Sequence, residues 1–380
     1  MSRKFMLIAG EASGDLHASH LMNALSVHCN GAAEFVFMGG DNMRRIAQND
    51  PLVHISDMAF MGFSEVFRNI GTIRKNFSIA CNALVEQRPD ALILIDYPSF
   101  NLKVAKTAKK LGIPVFYYVS PKVWAWKEHR VKAIKQLVEK LYVIFPFEVD
   151  FYRTRHDYEV EYVGNPTVDE IDRFLKTKMP YEDFLERNNL RNRPIIALLP
   201  GSRLGEIRNN LKIMVETIER FPQYRGVIGG APGIDIGFYR QFTNLPVIYN
   251  NTFTLLSYSQ AALVTSGTAT LETALIGTPQ VACYRSNGSR LAYKFMSKIL
   301  KVPYVTLPNL IANEEVIPEM LLHECTPDNV TSKMIPLLRE TPERTKQLDG
   351  YALIRRNLYV DGTAPENTAK DILNTLNNYH

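Results

Sequence analysis

Apolar residues along this chain fall into short unbroken runs. Each run is closed by small or polar residues and then gives way to a helical spacing. KFMLIAG (4–10) runs into EASGD, and PIIALLP (194–200) runs into GSRLGE. Runs of this length, without polar alternation, suit strands covered on both faces of a parallel sheet. The same pattern predicts strands at FVFMG (35–39), ALILID (91–96), PVFYYVS (114–120) and KLYVIFP (140–146). A second series follows at GVIGG (226–230), PVIYN (246–250), AALVTS (261–266), QVACY (280–284) and YVTLP (304–308). Two strand–loop–helix openings about 190 residues apart predict two Rossmann-like α/β halves.

The strand pattern stops at VGNPTVDEIDRFLKTKMP (163–180), a charged stretch flanked by prolines, which places the hinge there. The expected domains are 1–168, 169–345 and a set of polar C-terminal helices, 346–380, packing back on the first domain. In open α/β sheets ligands collect at the carboxyl ends of the strands, and between two such domains the cleft is the default site.

The length, 380 residues, is enough for two cores. No apolar run is long enough to span a bilayer. The apolar N-terminal stretch runs straight into GEASGD, so it reads as a first strand rather than a signal peptide, and the protein is expected to be cytoplasmic. The cysteines Cys29, Cys81, Cys283 and Cys325 lie far apart with no C-x-x-C, which argues against a disulfide framework or zinc knuckle. A net charge of +5 is too small to argue for nucleic acid, but it suits anionic substrates or an anionic membrane surface.

Four strand ends carry candidate chemistry. GEASGD (10–15) is a small-residue loop that could bring amides to a ligand; the plainer reading is a tight turn with Ser13 or Asp15 capping the helix. In LPGSRLGEI (199–207), Ser202 and Arg203 at a helix start suit a phosphate; the alternative is an N-cap serine with a surface pair between Arg203 and Glu206 or Glu219. In LVTSGTATLE (263–272), Ser266, Gly267 and Thr268 suit a second phosphate contact, and Glu272 could accept from both ribose hydroxyls or be a solvated helix residue. Asp96 ends a strand of the first half; Asn101 lies five residues on.

His17 and His20 share a helical spacing in HASH, but no further ligand is evident, so a surface helix is the better reading. There is no G-x-S-x-G elbow and no D-x-D, so no metal site is expected. Met61, Phe63, Phe67, Ile70, Ile73 and Phe77, with basic residues between, and Trp124, Trp126 and Arg130 make two aromatic–basic stretches. Each alone reads as core packing or a solvated face. Together they are consistent with a lipid-facing surface.

AGEASGD (9–15), MGFSEV (61–66), IDYPSFN (95–101), YYVSPKVWAWKEHRVKAI (117–134), LPGSRLGEI (199–207), SGTATLE (266–272) and VTLPNLIAN (305–313) stand in the order and spacing of a known family. Over nearly its whole length the chain resembles lipid-A-disaccharide synthase, a glycosyltransferase family of GT-B architecture: two Rossmann-like domains facing across a cleft. The resemblance implies an inverting, metal-independent transfer from UDP-2,3-diacylglucosamine to 2,3-diacylglucosamine 1-phosphate (lipid X). The products are the β-1′,6-linked lipid A disaccharide 1-phosphate and UDP. It implies no cofactor and no nucleic acid, a place on the cytoplasmic face of the inner membrane, and room for a homodimer.

By that resemblance Asp96 matches the candidate general base, and Arg203, with Ser202 beside it, the donor-phosphate loop. Glu11 and Ser13 match polar residues that matter for activity, and Asn309 a residue near the donor. Ser266, Gly267, Thr268 and Glu272 would hold diphosphate and ribose by analogy with other GT-B enzymes. Two positions depart from the family. Ser99 stands where a second acid is frequent, and Asn165 replaces the histidine of a G-H-P hinge. A UDP-sugar epimerase of the same architecture, or a non-catalytic nucleotide-binding protein at the membrane surface, are the competing readings.

Overall fold

The computed structural model describes residues 2–58, 70–125, 127–285 and 304–378. The first run of strands is β1 (Arg3–Ala9), β2 (Ala33–Gly39), β3 (Val53–His54), β4 (Ala91–Ile95), β5 (Val115–Tyr118), β6 (Lys140–Val143) and β7 (Glu161–Tyr162). They form one sheet in the order β3-β2-β1-β4-β5-β6-β7, every pairing parallel. The second run is β8 (Ile195–Leu199), β9 (Arg225–Gly230), β10 (Val247–Tyr249), β11 (Ser259–Thr265), β12 (Gln280–Tyr284) and β13 (Glu319–Leu321). These pair in parallel as β10-β9-β8-β11-β12-β13.

The continuous apolar runs are explained by cover on both faces. β4 and β8 are buried at every position. Side chains alternate across the first sheet. Met6, Ile8, Leu92 and Leu94 meet Ala80, Leu84 and Val104 from the helices Ile70–Gln87 and Pro98–Lys110. Phe5, Leu7 and Ile93 face the other way, onto the helices Ala12–His28 and Ala364–Asn377. Burial of this kind, about 25 cal/mol per Å² of apolar surface, is the main term holding each sheet to its helices.

The chain divides into two compact units, Met1–Pro166 with Val360–His380, and Thr167–Tyr359. The helix Pro342–Asn357 belongs to the second unit and Ala364–Asn377 to the first. Among the described residues no helix is long and apolar enough to cross a membrane.

One expected strand is not there. Residues 304–308 lead into the helix Leu307–Ala312, with Thr306 as N-cap and Pro308 in its first turn. Proline suits that place because the first helical N–H groups lack partners anyway. The outer strand β13 comes later, from Glu319–Leu321.

Both strand orders reverse once, between β1 and β4 in the first unit and between β8 and β11 in the second. At such a reversal the loops leaving two neighbouring strands part to opposite faces and open a crevice. All four candidate loops leave strands at these two points.

Candidate functional site

At the first reversal β4 ends at Ile95, and the chain turns sharply. Asp96 has φ 41°. Tyr97 follows with φ 47° and ψ 51°, although it precedes Pro98. Two successive left-handed residues, the second disfavoured further by the proline, store strain that neighbours must hold. The buried Asn101 donates from Nδ2 to the Asp96 carbonyl at 2.8 Å and to the Ile95 carbonyl at 3.2 Å. The buried Tyr117 hydroxyl donates to the Asp96 carbonyl as well. The backbone of Asp96 is thus fixed from beneath.

Burial pushes the Asp96 carboxyl above the usual carboxylate range; Lys122, the Tyr97 amide and Arg130 pull the other way. A carboxylate whose ionised form is partly desolvated is a stronger base than one in water. Arg130 also donates to Ser99 Oγ at 2.7 Å. The sequence placed Arg130 among lipid-facing residues; the structure brings it to the Asp96 turn.

From β1, Gly10 and Glu11 lead into the helix Ala12–His28, with Glu11 at its N-cap position and no side-chain cap bond. Ser13 is exposed. The capping expected of Ser13 or Asp15 is not found. Asp15 is buried and turned toward the next loop, accepting from the amides of Gly40 at 2.7 Å and Met43 at 3.1 Å through Oδ1. Its other oxygen accepts from Asn42 at 3.1 Å. It therefore ties the β1 loop to the β2 loop.

Glu11 and Asp96 share a cavity of about 430 Å³. Its apolar wall is Ile73, Phe77, Tyr97 and Phe100, and Arg74 and Lys103 also line it. Phe100 meets Phe77 edge-on with 6.3 Å between ring centres and Tyr97 at 5.5 Å, so the wall is continuous.

Met61, Phe63, Phe67 and Trp126 lie outside the described residues. Trp124 is half-buried, its Nε1 donating to Glu148 Oε1 at 3.1 Å and its ring edge-on to Phe147. Glu148 is buried and also accepts from the amides of Ile144 and Phe145 through Oε2. Burial raises its carboxyl to about 7 against these hydrogen bonds. His17, of the HASH motif, is pushed down to about 4 by burial and then by His20.

At the second reversal Gly201 leaves β8 with φ 116°. Arg203, not Ser202, is the N-cap residue of the helix Leu204–Ile218. Glu206, three residues on, accepts from the Ser202 amide at 3.1 Å through Oε2 and pairs with Arg203 at 3.6 Å. The expected Arg–Glu pair thus exists, and its carboxylate sits on the donors that would suit a phosphate. Arg203 remains 69% exposed. Beside this loop Gly267 caps the helix Thr268–Ile276, next to the half-buried Ser266.

Glu272 lies in that helix. It is half-buried, and burial, then the neighbouring Glu170, raises its carboxyl to about 7. Asn309 is buried, and its amide is fully engaged. Nδ2 donates to the Ile317 carbonyl and Glu319 Oε1, and Oδ1 accepts from the amides of Val316 and Ile317. Among the described residues no group of three or more His, Cys, Asp or Glu could hold a metal ion.

Two parallel α/β units, each with candidate loops at its own strand-order reversal, define the GT-B class. Solved structures share this fold. The chain is similar to a UDP-GlcNAc 2-epimerase from Neisseria meningitidis bound to UDP-GlcNAc, with TM-score 0.66 and 14% identity over 99% of this chain and 100% of that one. It is also similar to the glycotransferase of kitacinnamycin, with TM-score 0.65 and 13% identity over 99% and 100%. At such identity the likeness speaks for the fold alone. The family profile described as lipid-A-disaccharide synthetase matches residues 5–363. Lipid-A-disaccharide synthase of Myxococcus xanthus is 37% identical over 98% of this chain and 97% of its own length. That of Geobacter sulfurreducens is 33% identical over 99% and 98%. The chain belongs to the lipid-A-disaccharide synthase family, glycosyltransferases of lipid A biosynthesis, as its motif strings implied.

Proposed function

We propose that the protein condenses UDP-2,3-diacylglucosamine with 2,3-diacylglucosamine 1-phosphate, with inversion, to give the β-1′,6-linked disaccharide 1-phosphate and UDP. The observation that carries this reading is the Asp96 turn. A partly desolvated carboxylate stands on a backbone carbonyl held by Asn101 and Tyr117 at a strand-order reversal, beside a cavity with an apolar wall. In the reaction the acceptor 6-hydroxyl oxygen bonds to the donor anomeric carbon while Asp96 takes the hydroxyl proton. The anomeric carbon–oxygen bond to UDP breaks, and its electron pair leaves with UDP. The sugar passes through an oxocarbenium-like state.

Charge developing on the diphosphate is met by Arg203 and the Ser202 amide, with Ser266, Gly267 and Thr268 as further donors and Glu272 on the ribose. Donor binding then displaces Glu206 from Ser202 and Arg203. Glu11 borders the same cavity as Asp96 and orients the acceptor; Ser13 lies on its helix. Asn309 acts by holding its loop against β13. No metal is required in this scheme, because Arg203 and amides carry the compensating charge. Lipid substrates would place the enzyme on the cytoplasmic face of the inner membrane.

Supplying labelled acceptor and acylated UDP-sugar, with chromatographic detection of disaccharide, tests the reading. Asp96→Asn should keep its fold and UDP affinity but lose turnover by roughly 10²–10⁴-fold, the usual share of a general base. Near-normal turnover removes Asp96 from that role. Epimerisation of UDP-N-acetylglucosamine without an acceptor, or UDP binding with no product, would replace the transferase reading by one of its competitors.

A further inference from the structure

A strained turn follows β5. Val119 has φ 59°, and a β-branched residue in the left-handed region needs neighbours to hold it there. The turn is anchored at both ends. At the near end the Ser120 amide donates to the Tyr142 carbonyl at 3.2 Å. The Ser120 hydroxyl lies 2.8 Å from the hydroxyl of the buried Tyr152. At the far end the Trp124 indole N–H donates to Glu148 Oε1 at 3.1 Å. Lys122 stands between these anchors and is exposed. Among the cations that favour ionised Asp96 it acts most strongly, ahead of Arg130.

Packing alone does not ask for an acid at position 148. A carboxylate is costly to bury, and a glutamine of the same shape would be easier to bury. A glutamine, however, has one accepting oxygen, and its nitrogen would meet another donor. Glu148 accepts on both oxygens: from the amides of Ile144 at 3.1 Å and Phe145 at 3.0 Å on Oε2, and from Trp124 on Oε1. It therefore ties the start of the helix Pro146–His156 to the turn after β5.

We propose that Glu148 is a positioning residue for the base: through Trp124 it holds the turn 119–125 so that the Lys122 ammonium stays near Asp96. The inference rests on the transferase reading above, in which Asp96 takes a proton, and it adds how that base is kept ionised. Glu148 touches no reacting atom and acts through Lys122. Its own negative charge, felt directly, would work the other way, since a second anion hinders ionisation of Asp96. The two effects differ in sign, so the experiment separates them. The other charged groups about Asp96 are Arg130, and Glu11, Arg74 and Lys103 in the shared cavity; the Tyr117 hydroxyl lies under its carbonyl. None of these belongs to the turn.

The test uses the whole chain with Glu148→Gln, Trp124→Phe and Lys122→Met. Trp124→Phe keeps a ring against Phe147 and removes the N–H donor. In Glu148→Gln and Trp124→Phe the acid limb of the kcat/KM profile should move upward. The loss of kcat/KM should be several-fold below the limb and small above it. In the Lys122→Met background neither change should move the limb further. A limb that stays in place makes Glu148 a structural residue only and overturns the proposal. A downward shift overturns it as well, because that is the direct field of Glu148. So does a full upward shift by Trp124→Phe when Lys122 is already gone. Should Glu148→Gln fail to fold, Trp124→Phe carries the same comparison. Carbon-13 NMR of aspartate-labelled protein follows the Asp96 carboxyl without any turnover. If wild-type protein forms no disaccharide, the transferase reading fails, while an upward shift of the Asp96 titration in Trp124→Phe still supports the positioning role. The same titration in wild type and Trp124→Phe overturns that role by itself.

Discussion

Gly10 and Tyr97 exclude one another's growth: a Cβ on Gly10 would lie 2.6 Å from both Cδ atoms of the Tyr97 ring. The ring closes over the end of β1 while its hydroxyl reaches the Met58 carbonyl at 3.1 Å. The β1 loop therefore bears directly on the residue that follows the proposed base. Gly10→Ala should force the ring away and move Asp96 with it. A misplacement of that order costs about 10²-fold in kcat. Overpacking should lower stability by about 1–3 kcal/mol. In the double variant with Tyr97→Ala, thermal stability should recover and kcat should not. Recovery of both would mean that the Tyr97 ring plays no part in aiming Asp96.

Lys122 and Arg130 each favour the ionised form of Asp96, Lys122 more strongly. Removing either charge raises the Asp96 pKa further, so the basic form is reached only at higher pH. The acid limb of the kcat/KM profile should move upward in Lys122→Met and, by less, in Arg130→Met. A limb that stays in place in both separates Asp96 from the rate-controlling ionisation.

Arg203 is largely exposed, so Arg203→Ala should fold normally. Its loss from a diphosphate should weaken UDP binding about tenfold or more, the scale of a charge-assisted hydrogen bond. Glu206 covers the same donors in the structure. Glu206→Gln should therefore tighten UDP binding by lowering the competition. Calorimetry on both variants decides; a loss of affinity in Glu206→Gln would show that Glu206 organises the loop rather than competing at it.

Glu272, raised to about 7 by burial and Glu170, gives a pH signature to nucleotide binding. In the proposed ribose role only its ionised form would accept from both hydroxyls, so UDP affinity should rise as pH passes through 7. Glu170→Gln removes the repulsion and should shift that rise to lower pH. In 2′-deoxy-UDP the rise should shrink. The same shift acts on folding with the opposite slope. The folded state holds this proton between the ordinary value of 4.5 and about 7, so its contribution to stability falls as pH climbs through that window.

What the chain's pattern discloses is whatever local physics decides. β4 was readable because five apolar residues end in a charge, and both openings because a strand, a small-residue turn and a helix follow one another. The run Tyr304-Val305-Thr306 has strand composition, yet Thr306 and Pro308 are helix-start residues, and the start prevails. β3 and β7 have two residues each and carry no periodicity to read. Asp15 serves a neighbouring loop rather than its own helix, a partnership set by the sheet and not by spacing. Arg130 looked lipid-facing because it stands in a basic aromatic stretch, and only the fold brings it to Ser99 and Asp96. The left-handed pair Asp96–Tyr97 runs against what a residue before proline prefers, so no propensity could announce it.

The helix Ala364–Asn377 puts Ala369, Ile372 and Leu376 into the core built on β1 and the helix Ala12–His28. The first unit is therefore the last to be completed on the ribosome. Its opening strands emerge early but wait, one face covered only in part by the helix Ala12–His28, until residues 364–377 have been translated. The second unit, continuous from Thr167 to Tyr359, has all its residues before then. Domains fold as units during synthesis. Here the order of emergence and the order of closure are reversed, and the exposed interval falls on the half that carries the proposed base.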